Sequence, residues 1–183
     1  MPNNKLTRRQ RSQSMVEFAI VAPLLLLLIF GIVDFGRVIY VYITLNQAVN
    51  EAVRVAIRDS ALLPTNGDVE TAAKIHAVDV NLANPCPNGP ITTATPPTNQ
   101  GWIYITEPNP PSAVEALSPT LENAPGGQKW AFDNGTCSAT NPAYNHAPLQ
   151  VTIRYNFVPI TPLIAQFAGN IVISAAAVYR TEY

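Results

Sequence analysis

The sequence predicts an α+β chain: one long N-terminal helix, apolar in its inner half and amphipathic in its outer half, packed on a small antiparallel sheet. Three observations predict it. Phe18 to Val33 reads FAIVAPLLLLLIFGIV, 16 residues without a charge. Apolar residues then recur at three- and four-residue spacing through Val38, Tyr42, Leu45, Val49, Ala52 and Ala56, which marks one helix face. Near the C-terminus Leu149, Val151, Ile153, Tyr155 and Phe157 alternate with Gln150, Thr152, Arg154 and Asn156, which marks a half-buried antiparallel strand.

Composition narrows the class before any element is placed. The 183 residues are 48% hydrophobic and 13% charged, against about 25% charged in an ordinary soluble domain. That apolar content excludes a disordered chain. The formal net charge of −1 leaves no overall nucleic-acid footprint. The charge is nevertheless uneven. Lys5, Arg8, Arg9 and Arg11 precede the first acid, Glu17, and leave seven basic residues against twelve acidic ones downstream. This asymmetry points to a membrane.

The uncharged run alone makes about 24 Å of helix, short for a bilayer core of about 30 Å. It resumes after Asp34 and Arg37 as Val38-Ile39-Tyr40-Val41-Tyr42-Ile43. A span over about 18–43 would reach roughly 39 Å, ample with tilt. The basic stub lies before the span, so the positive-inside rule keeps residues 1–12 cytoplasmic and everything after about residue 45 outside. A secretory signal peptide is the rival reading; it fits poorly, because amphipathic helix rather than a small-residue cleavage site follows. The helix is expected from about Ser14 to Leu62, where Pro64 stops it. Pro23 removes one backbone bond within the span, which membrane helices tolerate.

Residues 63–183 form the outer α+β domain. Asp68 is expected to cap a second helix running to about Ala83, with Val69, Ala72, Ala73, Ala77 and Val80 as its apolar face. Residues 85–127 are rich in Pro, Asn, Thr and Gly and read as loops around one strand, Trp102 to Thr106. Ser112 with Glu115 can cap a helical turn, and Lys129 to Phe132 reads as a strand leading into Asp133-Asn134-Gly135. Thr161-Pro162 opens a short helix that Gly169 ends. The strands flanking it, Leu149–Phe157 and Ile171–Tyr179, should pair, with the outer half of the long helix covering their apolar face.

Few residues carry chemistry. Cys86 and Cys137 allow one intramolecular disulfide, closing a loop of about 50 residues for roughly 4 kcal/mol in the chain-entropy model; two free thiols are the alternative. His76 and His146 are isolated, and no ligand spacing suits a metal. There is no nucleophile elbow, phosphate loop or zinc-protease motif, so no enzyme and no cofactor is expected. Asn134-Gly135-Thr136 reads as a turn before it reads as a glycosylation acceptor. Trp102 and Trp130 serve either core packing or a binding patch. Asp34 and Arg37 share a helix face near the outer interface, either as an ion pair whose Arg snorkels or as a contact to a partner helix.

A basic leader, a small residue and a span with a carboxylate at its fifth position make up the type IV pilin layout, here Arg9-Gln10-Arg11-Ser12 followed by Gln13-Ser14-Met15-Val16-Glu17-Phe18. More narrowly, QSMVEFAIVAPLLLLLIFGIVDFGR resembles the TadE/TadG-like pseudopilins of the tight-adherence (Tad) pilus, over about residues 11 to 58, with a weaker return in residues 155–164 and 180–183. The resemblance implies a pilin-like fold and a non-enzymatic minor pilin, with cleavage by a prepilin peptidase between Ser12 and Gln13. Ser12 stands where the family usually has Gly. It also implies that Glu17 meets the Gln13 amine of a neighbouring subunit; a carboxylate merely lying among the headgroups is the alternative. The implied partners are the peptidase, other pilins and pseudopilins, the assembly platform of the bacterial inner membrane and the lipid bilayer. A major pilin and an uncleaved membrane-anchored binding module remain alternatives.

Overall fold

The computed structural model describes residues 5–58, 63–83, 95–106, 146 and 148–182, with the backbone course alone for residues 5–12. Cys86 and Cys137, Ser112 with Glu115, the Lys129–Phe132 strand, Trp130 and the 134–136 turn lie outside the described residues.

Helix α1 runs from Lys5 to Ala56, 52 residues without a break at Pro23. It starts earlier than the sequence predicts and ends six residues sooner than Leu62. Its outer half is the spine of the domain. Val41, Leu45, Ala48, Val49, Ala52, Val53 and Ala56 are buried, and Val38 packs at their edge. Tyr42, expected on this stripe, is 52% exposed. The true stripe is turned slightly, so that Val41, Ala48 and Val53 face inward; small and β-branched side chains allow closer approach to the sheet than a tyrosine ring.

Helix α2 spans Asn66–His76. Its N-cap is Thr65, and Asp68 occupies the third helical position instead. The Asp68 carboxylate accepts from Thr65 N at 2.9 Å, while Thr65 Oγ1 accepts from Asp68 N at 3.3 Å. This reciprocal capping box satisfies two donors at the helix start. The helix ends at His76 rather than Ala83, since Asp79 turns the chain at φ 59°. Val69, Ala73, Ala77 and Val80 are buried as expected; Ala72 is half-buried.

The sheet has the order β1-β2-β3-β4, with β1 at Leu82–Ala83, β2 at Gly101–Thr106, β3 at Pro148–Phe157 and β4 at Ile171–Arg180. β2, β3 and β4 are antiparallel neighbours, and the two-residue β1 pairs parallel to β2, making the sheet mixed. The register places Ile103, Ile153 and Ala175 in one row, and Ile105, Val151 and Ala177 in the next. These rows face the helices, β3 and β4 against α1 and β2 against α2, and close the core. Trp102 lies in the alternate row with Arg154 and Ser174, half-buried away from that core. Helix α3, Pro162–Ala168, links β3 to β4 and ends at Gly169.

Candidate functional site: the apolar rod and its junction with the sheet

From Met15 to Val33, large apolar side chains of α1 stand exposed on all sides, among them Leu24 at 70% and Ile32 at 64%, and exposed ones continue on the face away from the sheet to Ile43. A helix apolar all round needs an apolar surrounding. The segment Gln13–Ala56 is long and apolar enough to cross a membrane once, and none of its most apolar window is buried within the protein. It suits a single-pass anchor.

At the inner end, Gln13 and Glu17 are exposed and one turn apart, with Gln13 Nε2 donating to Glu17 Oε1 at 3.4 Å. The backbone of residues 5–12 continues the same helix. Glu17 stands at the far end of the rod from the sheet.

At the outer end the structure brings Asp34 and Arg37 together, as the spacing predicts. Arg37 Nη1 donates to Asp34 Oδ1 at 3.5 Å. Asp34 is buried, 5% exposed, and its carboxylate has partners no spacing could have shown. Ile160 N donates to Oδ1 at 3.0 Å and Thr161 N to Oδ2 at 3.1 Å. Both donors belong to the connection from β3 to α3. Thr161 holds the N-cap position of α3 but makes no side-chain cap bond. Arg37 lies over the Phe157 ring, 5.0 Å from its centroid, at the end of β3. One carboxylate thus fastens the lower end of the sheet to the rod. At the upper end Glu182 N donates to the Ile57 carbonyl at 2.9 Å.

The histidines stand apart. His76 is exposed at the end of α2. His146 Nδ1 lies 3.2 Å from the Thr181 carbonyl, which makes that nitrogen the donor. Among the described residues no three of His, Cys, Asp or Glu gather as a metal site.

The long rod thus carries one acid, Glu17, at the inner edge of its apolar stretch and a second, Asp34, at its junction with the domain. Residues 13–54 match the family model of the TadE-like proteins. The TadE-like match covers less than a quarter of the chain and agrees with a TadE/TadG-like protein. It takes in Glu17, Asp34 and Arg37, and ends inside the amphipathic half of α1. TadE-like proteins are a pilus-associated structural family, so the match points to a Tad pilus-associated protein. No curated protein and no solved structure matches the chain.

Proposed function

We propose that this protein is a minor pilin or pseudopilin of a Tad pilus or a related secretion system, anchored by α1 and acting through helix packing. The observation that carries the reading is the rod itself: exposed apolar residues from Met15 to Ile43, within a segment that matches the TadE-like family from Gln13 onward. A prepilin peptidase cuts between Ser12 and Gln13; the family match, which begins at Gln13, is compatible with that cut. The N-terminus faces the cytoplasm and the α+β domain faces outward, as the four basic residues before Glu17 favour. Cys86 and Cys137 then lie in an oxidising compartment and pair.

Glu17 acts in assembly. Cleavage turns the Gln13 nitrogen into an amine, and Glu17 of one subunit receives that amine from another. A charge-assisted contact of this kind is strong in a low-dielectric setting. Its present partner, the Gln13 side-chain amide at 3.4 Å, is a weak contact that a neighbour can replace.

Mass spectrometry of protein from cells with an active peptidase tests the cut: the expected chain starts at Gln13, and an intact Met1 to Ser12 overturns processing. Glu17→Ala tests assembly. Protein level and membrane localisation should match wild type, while incorporation into sheared filaments is lost. Normal incorporation would remove Glu17 from the mechanism.

A further inference from the structure

We propose that the β3–β4 connection, residues 158–170, is a second membrane contact, seated in the outer leaflet beside α1 and held at that depth by Asp34. The proposal rests on the reading of α1 as a span.

The depth follows from helix geometry. If the hydrocarbon begins near Phe18, the first apolar residue after Glu17, a rise of 1.5 Å per residue puts Gly31 roughly 20 Å, Asp34 roughly 24 Å and Arg37 roughly 28 Å along the rod. The bilayer core is about 30 Å thick. Arg37 therefore marks its outer boundary, and Gly31 lies about 10 Å inside it. Yet α3 reaches that level, since a methyl group on Gly31 would stand 3.8 Å from Ile164 Cδ1. The connection descends past Arg37 along the lipid-facing surface of α1.

The composition suits that place. No Asp, Glu, Lys or Arg occurs between Arg154 and Arg180. Ile160 is 67% exposed at the turn into α3, between Pro159 and the Thr161-Pro162 pair. Thr161, Gln166 and Asn170 give residues 158–170 the modest polarity of a leaflet boundary.

The backbone bonding suits it as well. Irregular backbone is costly at membrane depth unless its polar groups are satisfied by protein. Here the Ile160 and Thr161 N–H groups are taken by the Asp34 carboxylate. Ala165 N and Gly169 N bond within α3, to the Thr161 and Ala165 carbonyls. The relation is mutual, because a lone carboxylate within the core would itself be costly. The acid and the two amides remove one another from lipid.

Tryptophan quenching in the full chain tests this. Leu24→Trp, Ile160→Trp and Asn50→Trp are each reconstituted in phosphatidylcholine vesicles whose acyl chains are brominated close to the glycerol. The emission added over the wild type is quenched in turn by bromolipid and by aqueous acrylamide. Expected is bromolipid quenching at 24 and 160, acrylamide quenching at 50. Acrylamide quenching at 160, with 24 still quenched by lipid, leaves the span standing and overturns the second contact. Quenching at 160 by neither agent overturns it too, and points to a second copy of the chain covering Ile160. Acrylamide quenching at 24 removes the span, and with it the basis of the proposal.

Discussion

Asp34 shows how one residue can join two parts of a chain that lie far apart in sequence. Its partners are 126 and 127 positions away. Asp34→Ala would orphan two donors, each at a cost of about 1–3 kcal/mol. Amide hydrogen exchange at Ile160 and Thr161 should accelerate by about 10- to 100-fold, the equivalent of that loss, while the β2–β3 amides keep their protection. Uniform acceleration across the sheet would instead make Asp34 a determinant of global stability. Gly101 is the second sensitive position. A Cβ there would lie 2.6 Å from Leu82 Cδ2 and 3.2 Å from the Arg154 carbonyl. The leucine tip can swing away, but the carbonyl is held in the β2–β3 ladder. Gly101→Ala should cost about 1–3 kcal/mol as overpacking, read as a lower thermal midpoint, and Leu82→Ala in the same chain should restore part of it.

Among the elements, α2 has a pH dependence of its own. Hydrogen bonds from the Thr65 backbone and side chain hold the Asp68 carboxyl below the ordinary 3.8. A depressed carboxylate stabilises the folded state above its unfolded pKa and ceases to do so as pH falls through the folded value. The contribution of the cap is therefore complete at neutral pH, begins to fade near 3.8 and is gone once the depressed value is passed. Thr65→Ala should cost about 1 kcal/mol, and the penalty measured by denaturant unfolding should shrink below pH 3.8. The Thr65 N–H bond to the carboxylate survives in this variant, so a penalty independent of pH would mean that the hydroxyl bond to Asp68 contributes nothing.

How far these elements were legible depends on the range of the interactions that set them. The β3–α3–β4 unit rests on local pattern and stands as read. The β3 alternation holds through Tyr155 but breaks at Asn156, read as a polar-face residue and in fact buried, where its side-chain amide donates to the Pro96 carbonyl at 2.8 Å. Thr65-x-x-Asp68 is also local; both residues are good caps, and the three-residue spacing of a capping box was the signal that favoured Thr65. The strand β1 is two residues long and exists only because β2 lies beside it, which no periodicity reports. Tyr42 and Val41 are adjacent in an apolar run, so pattern alone could not choose which faces the sheet. The ion pair of Asp34 and Arg37 was visible in their spacing, whereas the bonds from Ile160 and Thr161 were not, because a backbone N–H leaves no mark in sequence.

On the scale of the whole molecule, the membrane segment and the spine of the domain are one unbroken helix. The sheet is fastened to it at both ends, by Asp34 below and by the Ile57 carbonyl above. Among the described residues no linker separates the apolar stretch of α1 from the half that packs on the sheet. Each added residue turns one end of such a rod against the other by about 100°. The azimuth of Glu17 relative to the sheet is therefore fixed by residue count alone, and any array that registers the inner ends of its rods dictates which way every outer domain points. A single leucine inserted after Leu26 should leave domain stability and membrane localisation unchanged, yet put the two ends out of phase and abolish incorporation into filaments. A substitution at Leu26, which keeps the count, should be tolerated. If the insertion is tolerated too, the array does not read the angle between anchor and domain. If it is not, then the helix works as an angular gauge, and the length of its leucine run is under as tight a constraint as any side chain it carries.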